Sequence, residues 1–299
     1  MFREYWNRLR LNLRAARLAV LGVWMNNADV ADSYDALADT YDERWAVHLR
    51  ATTNRLHEHL PATLAAGKLI IELGCGSGNS TLVLREKYPE SPIVAVDISP
   101  GMIDRAKAKL TDAQFQIGDM LAFLKAQERG GVSPPVGTSL IFSAWAIGYS
   151  QPSAIITEAA RILLPGGSLA LVVNRFDTMP VVFETFRQAM RRYPDALNKA
   201  LLPRFPKGAS VLTTALKRSG FRINFLDEGA VPIAPPPKNR LDWLLGTGIL
   251  AGFDAVLPLR SPGQVRDFFA EVLDKITTGW EHRYVMLVGV KDEHSHSQC

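Results

Sequence analysis

Apolar and polar positions along this chain follow two periods. Short runs dominated by Leu, Ile and Val occur at 68–73 (KLIIEL), 92–97 (PIVAVD), 139–143, 168–174 and 284–290 (YVMLVGV), with weaker ones at 115–118 and 221–226. Continuous runs of this length suit strands covered on both faces, as in parallel sheets. Helical stretches are predicted over 46–66, 79–88, 152–164 and from Pro100 onward. An irregular helical segment covers 180–219, broken by Pro194, Pro203 and Pro206. Strands alternating with helices predict an α/β fold with a doubly wound, mostly parallel seven-stranded sheet. Residues 227–283 separate the sixth strand from the seventh. They hold Pro235–Pro237, an apolar helical stretch at 241–257 and a second helix at 264–276, and so predict an inserted helical cap.

The junction after the first run carries candidate chemistry. It reads Glu72-x-Gly74-x-Gly76-x-Gly78 and passes into a helix. Strand, glycine turn and helix form the first half of a nucleotide-binding α/β unit. Glycine serves there because the turn needs backbone angles that side chains resist and because a ligand must touch the main chain. Asp97 closes the second strand, where a carboxylate can accept both hydroxyls of a ribose. Ser99-Pro100 then starts a helix, the serine as its cap and the proline at its first position.

Composition narrows the class. Hydrophobic residues make up 47% and charged residues 21% of 299 positions, as in ordinary globular chains. The formal net charge is +4, and residues 1–25 carry all of it, with five arginines against Glu4. The body is therefore neutral, which argues against a nucleic-acid surface. Two cysteines, Cys75 and Cys299, cannot build a disulfide framework and suit a reducing cytoplasm. No secretory signal or spanning segment is expected. The tail places His294, His296 and Cys299 together, but a polar terminus is a poor metal site, and no metal is expected.

The first residues have a helical stripe of Phe2, Trp6, Leu9, Leu13, Ala16, Val20 and Trp24, flanked by arginines. Three uses stay open: packing on the domain, a homodimer contact, or peripheral contact of residues 1–25 with an anionic membrane. Leu11, Leu18 and Leu21 lie off the stripe and favour burial on a second face.

The order of these motifs resembles class I S-adenosylmethionine-dependent methyltransferases of the small-molecule type, similar to the quinone-biosynthesis C-methyltransferases. The resemblance rests on the acidic-x-G-x-G-x-G loop, VDISPGMIDRAKAKL at 96–110, Gly118-Asp119, the fourth strand with AWAIGY at 144–149, and LLPGGSLALVV at 163–173. It covers residues 30–226 and the last strand. It implies a Rossmann-like methyltransferase core over 31–234, preceded by a helical arm at 1–30, interrupted by a cap at 235–281 and completed by the last strand and tail at 282–299. It also implies S-adenosylmethionine as cofactor, held by Glu72, Gly74, Cys75, Gly76, Gly78, Asp97, Ile98, Met102, Asp119, Met120, Ser143 and Ala144. In SYDALADTYDERW (33–45) the resemblance implies a lid that brings in Tyr41. Read from the residues alone, this segment is equally a helix whose tyrosines pack on the core.

The expected reaction is methyl transfer to a small hydrophobic acceptor, with Trp145, Asn174, Phe176 and Trp243 as its lining. Such a reaction needs alignment more than activation, and a base only where the acceptor must lose a proton. His282, Tyr149 and Asp177 are the base candidates, and a structural role for His282 in WEHRY stays open. A protein that binds the cofactor without catalysis is the alternative. A dinucleotide oxidoreductase is disfavoured by the glycine spacing and by Asp119.

Overall fold

The computed structural model describes residues 2–127, 137–202 and 204–293. Its strands are β1 (Leu69–Leu73), β2 (Ile93–Asp97), β3 (Gln114–Ile117), β4 (Thr138–Ala144), β5 (Leu163–Asn174), β6 (Phe221–Pro232) and β7 (Glu281–Lys291). They form one sheet in the order β3-β2-β1-β4-β5-β7-β6. The pairs from β3 through β5 are parallel, and β7 returns antiparallel to β5. The helices are α1 (Phe2–Val20), α2 (Asn27–Asp35), α3 (Val47–Glu58), α4 (Asn79–Lys87), α5 (Pro100–Lys109), α6 (Met120–Ala126), α7 (Pro152–Ile162), α8 (Pro180–Arg192), α9 (Ala209–Arg218), α10 (Arg240–Leu245) and α11 (Gln264–Asp274). No described helix is long and apolar enough to cross a membrane.

Local chemistry sets these boundaries. Every residue of β1 is buried, as its unbroken apolar run requires. Ser99 accepts from Met102 N and Pro100 opens α5, so cap and first position are filled as expected. α3, β5 and β6 differ from expectation. α3 stops at Glu58, before Pro61, whereas the pattern suggests helix to residue 66. β5 starts at Leu163, and Pro165-Gly166-Gly167 lies inside the strand as a register break rather than before it. β6 runs six residues beyond Leu226 in strict alternation of less and more exposed positions. Its Asp227-Glu228-Gly229 resembles a turn in sequence, yet a strand at the end of the sheet tolerates charge.

The chain gathers into two compact units, one of Met1–Val47, Asp177–Pro203 and Pro232–His282, the other of His48–Phe176, Arg204–Val231 and Arg283–Cys299. The linear division expects arm, core and cap in succession. Here the stretches 1–30 and 235–281 group with 31–47 and 177–203 in one unit. In the sheet unit, Leu69, Ile71 and Leu73 meet Ile155, Ile156, Ala159 and Ile162 of α7 and Leu212 and Leu216 of α9. The spacing of the α7 residues puts one helix face on the sheet.

In the other unit, aromatic packing joins distant segments. Phe183 and Phe186 of α8 lie edge to face with Phe253 at 5.0 and 5.9 Å, and Phe186 meets Phe269 of α11 at 6.2 Å. Each such pair adds about 0.5–1.5 kcal/mol beyond burial. Buried Arg240 donates to the carbonyls of Leu273 at 2.8 Å and Asp274 at 3.1 Å, satisfying the C-terminal end of α11 with a cation. The helix expected over 241–257 shortens to α10 followed by single 3₁₀ turns at Gly248–Leu250 and Phe253–Ala255, because Gly246, Gly248 and Gly252 interrupt it.

Candidate functional site

The glycine loop between β1 and α4 has left-handed backbone at all three expected positions, with φ of 68° at Gly74, 53° at Gly76 and 83° at Gly78. The three are not equivalent. A Cβ on Gly74 would lie 2.1 Å from the Ala146 side chain, and one on Gly78 would press on Ala106 at 3.0 Å. A Cβ on Gly76 would meet nothing within 4 Å. Gly74 and Gly78 are thus needed by the fold, while Gly76 presents bare main chain to open space, as a cofactor cradle requires.

Asp97, at the tip of β2, is joined to that loop. Its Oδ2 accepts from Gly76 N at 2.8 Å and its Oδ1 from Ser99 N at 3.0 Å. A carboxylate held in this way by the backbone is of the type that can accept from ribose hydroxyls. Ile98 is half-buried beside it, and Met102 is buried beneath. Asp119 caps α6, its Oδ1 accepting from Ala122 N at 2.7 Å. The next residue, Met120, reaches to 3.7 Å of the position a Gly74 Cβ would take. Ser143 is fully buried and donates to the Leu73 carbonyl at 2.7 Å, so it ties β4 to β1 and offers no surface. Ala144, Ala146 and Tyr149 are partly exposed after it.

Electrostatics under the loop are dominated by burial. The Glu72 carboxyl is raised to about 8 by burial, only partly offset by the hydrogen bond from Thr81 Oγ1 at 2.6 Å. Burial also pushes the Cys75 thiol well up, with Asp97 and Glu72 adding to the effect. The buried Cys75 side chain is thus held as a thiol near neutrality.

At the exits of β4 and β5 lie Trp145, Tyr149, Asn174 and Phe176, expected to line the acceptor. Trp145 is buried with φ of 65°, strained for a non-glycine residue. Its Nε1 donates to Thr53 Oγ1 at 2.9 Å, and its ring stands edge to face with Tyr284 at 5.8 Å. Asn174 is buried, faces Tyr284 in the β5–β7 register, and its Oδ1 has no hydrogen bond among the described residues. Tyr149 packs on Phe205 at 5.6 Å, and Phe176 is exposed. Thr53 and Tyr284, which contact Trp145, and Ala146, beside Gly74, are not singled out by the sequence. Only Tyr284 left a signal there, lying two residues from His282 on the alternation of β7.

Tyr41, Asp177, Trp243 and His282 belong to the other unit. Tyr41 meets Tyr34 edge to face at 5.9 Å, and Trp243 meets Trp280 at 6.3 Å. Asp177 is half-buried just past β5. His282 is only 2% exposed, shares a hydrogen bond with Thr178 Oγ1 at 3.2 Å and abuts Trp45 at 5.1 Å. Burial lowers its imidazole to about 3, so it is neutral near pH 7 and a weak base. No cluster of three or more metal-ligating side chains occurs among the described residues. The tail with His294, His296 and Cys299 lies outside them.

Known proteins match this arrangement. Residues 70–167 match the family model described as a methyltransferase domain. A trans-aconitate 2-methyltransferase of Methylobacterium nodulans is 33% identical over 36% of this chain, a stretch that spans only 39% of that protein. Another, from Sinorhizobium fredii, is 26% identical over 69% of this chain and 76% of its own. Among solved structures, the methyltransferase in a complex with the Haloferax volcanii Trm112 methyltransferase activator shares the fold, with a TM-score of 0.55, 19% identity, and 89% of this chain and 99% of that one covered. Residues 70–167 are thus a methyltransferase domain, and the glycine loop, the β2 carboxylate and this sheet order support the class I S-adenosylmethionine-dependent kind.

Proposed function

We propose that this enzyme methylates a small organic acid with an apolar body, using Gly76 and Asp97 as the centre of its cofactor site. The observation that carries the cofactor assignment is the coupling of these residues: open main chain at Gly76, whose N–H also fixes the Asp97 carboxylate. Ile98, Asp119, Met120 and Ala144 surround it in this reading. Bound there, S-adenosylmethionine supplies a methyl group on sulfonium sulfur. The protein's task is to exclude water and align the acceptor.

The acid follows from the proton balance. His282, neutral with its imidazole at about 3, is a poor acceptor of a proton. A carboxylate oxygen is already ionised near neutrality and needs no base. The two trans-aconitate methyltransferases among the relatives support the same class. The apolar body follows from Trp145, Tyr149 and Phe176. We place the enzyme in the cytoplasm, with residues 1–25 available for peripheral membrane contact.

Labelled S-adenosylmethionine offered with a panel of carboxylic acids, phenols and amines tests this. Label in base-labile esters is expected. Label in phenols or amines alone overturns the acid, and cofactor binding without turnover on any acceptor pool returns the non-catalytic alternative.

A further inference from the structure

The apolar stripe of α1 faces outward. Tyr5 is 68% exposed, Trp6 48%, Leu9 37%, Leu13 61% and Val20 87%. At about 100° per residue these five share roughly a 100° arc of the helix. The opposite face anchors the helix within its own unit. Leu18 is buried, Arg14 Nε donates to the Leu197 carbonyl at 3.0 Å, Asn7 Nδ2 to the Arg192 carbonyl at 3.5 Å, and Arg10 pairs with Asp195. Packing and external contact are therefore uses of two different faces. Exposed Leu21, Val23 and Trp24 continue the apolar surface past the helix end, where Trp24 is fixed by a backbone bridge to Ala200.

Charge selects the occupant. Arg8 flanks the apolar arc on one side and Arg17 on the other, and neither side chain has an ion pair or hydrogen bond among the described residues. The arm holds the whole net charge of +4. A two-fold partner would set this cationic arm against itself, whereas an anionic lipid surface complements it. Tyr5, Trp6 and Trp24 suit the headgroup boundary, where an aromatic ring is half wet.

We propose that α1 docks the enzyme on an anionic bilayer, with Leu9, Leu13 and Val20 entering the interface and Arg8 and Arg17 at the level of the lipid phosphates. This deepens the reading of residues 1–25 as a membrane-contacting arm by naming the lipid and the face.

The full chain is sedimented with phosphatidylcholine vesicles with and without phosphatidylglycerol, at low and high salt. Binding is expected only with phosphatidylglycerol and should weaken with salt. Arg8→Gln and Arg17→Gln should each weaken it about fivefold, equivalent to about 1 kcal/mol per arginine near the surface. Leu13→Asp with Val20→Asp should reduce it at least tenfold, with melting temperature and S-adenosylmethionine affinity unchanged. The last two measurements separate loss of docking from failure of the enzyme reading. Absence of binding at low salt, equal binding to both vesicle types, or a dimer that Leu13→Asp dissolves would each overturn the proposal.

Discussion

The main-chain N–H of Gly76 donates to Oδ2 of Asp97 at 2.8 Å, linking the loop after β1 to the tip of β2. One carboxylate thus sets both the loop and the acceptor oxygens offered to a ribose. Asp97→Ala should weaken S-adenosylmethionine binding by about 2–4 kcal/mol through loss of charge-assisted bonds. Titration calorimetry on the folded variant checks it, and an unchanged dissociation constant removes Asp97 from the site.

The three loop glycines should separate by experiment. Gly76→Val meets no neighbour, so the chain should fold despite the strain of a β-branched residue at φ of 53°, and lose cofactor binding. Gly74→Ala meets Ala146 at 2.1 Å and should lower the melting temperature instead. Adding Ala146→Gly should restore part of that loss. If Gly76→Val binds normally, the loop is only a turn.

Stability should peak near pH 6.5. Folded Glu72 keeps its proton to about 8, while an unfolded glutamate releases it near 4.5. Its contribution is complete below 4.5 and is lost as pH rises to 8. His57 and His282 are lowered from 6.5 to about 4 and about 3, mainly by burial. Their contribution is complete above 6.5 and is lost as pH falls through those values. Between 4.5 and 6.5 two histidines outweigh one glutamate, and above 6.5 only the glutamate acts. Melting temperature against pH should show this peak, and Glu72→Gln should flatten the limb between 6.5 and 8. A flat wild-type limb there would remove Glu72 from the account.

Trp243 packs on Trp280, which is itself held by Arg240 at 5.8 Å and by the Ile276 carbonyl at 3.2 Å. Trp280 carries the local fold, so Trp243→Ala should be tolerated. If Trp243 lines the acceptor, its loss should raise the acceptor KM and spare cofactor affinity. The reverse pattern, weaker cofactor binding with an unaltered KM, sinks the assignment.

The positions of β1, β2, β4 and the second half of β5 were readable because they are runs dominated by Leu, Ile, Val and Ala, and the loop was readable because positive φ demands glycine. The same logic fails at Trp145, whose φ of 65° is imposed on a residue that gives no local sign of it. The second half of β6 was hidden because an edge strand carries charges that look like a turn. The unit containing α1, α8 and α11 was hidden because its Phe186–Phe253 and Phe186–Phe269 contacts join segments far apart in the chain. For α1, the stripe was found but its direction was not. Periodicity identifies an apolar face, and only the packed structure shows that Leu18 lies inside and Leu13 outside.

Trp145 gives the last test. Its backbone is strained, its Nε1 bonds Thr53 and its ring touches Tyr284, so two neighbours hold one costly conformation at the β4 exit. Tyr284 is in turn bonded to Arg55 at 3.0 Å and Asp227 at 3.1 Å. Strain of about 1–3 kcal/mol persists only where surroundings over-determine it. If it serves to orient the acceptor, Trp145→Phe should lower kcat/KM for the acceptor about tenfold, with cofactor affinity kept. Thr53→Val, which removes only the Nε1 partner, should give a smaller loss in the same direction. A purely structural role predicts lower melting temperatures in both variants and unchanged kinetics at low temperature, and that result would separate Trp145 from the acceptor.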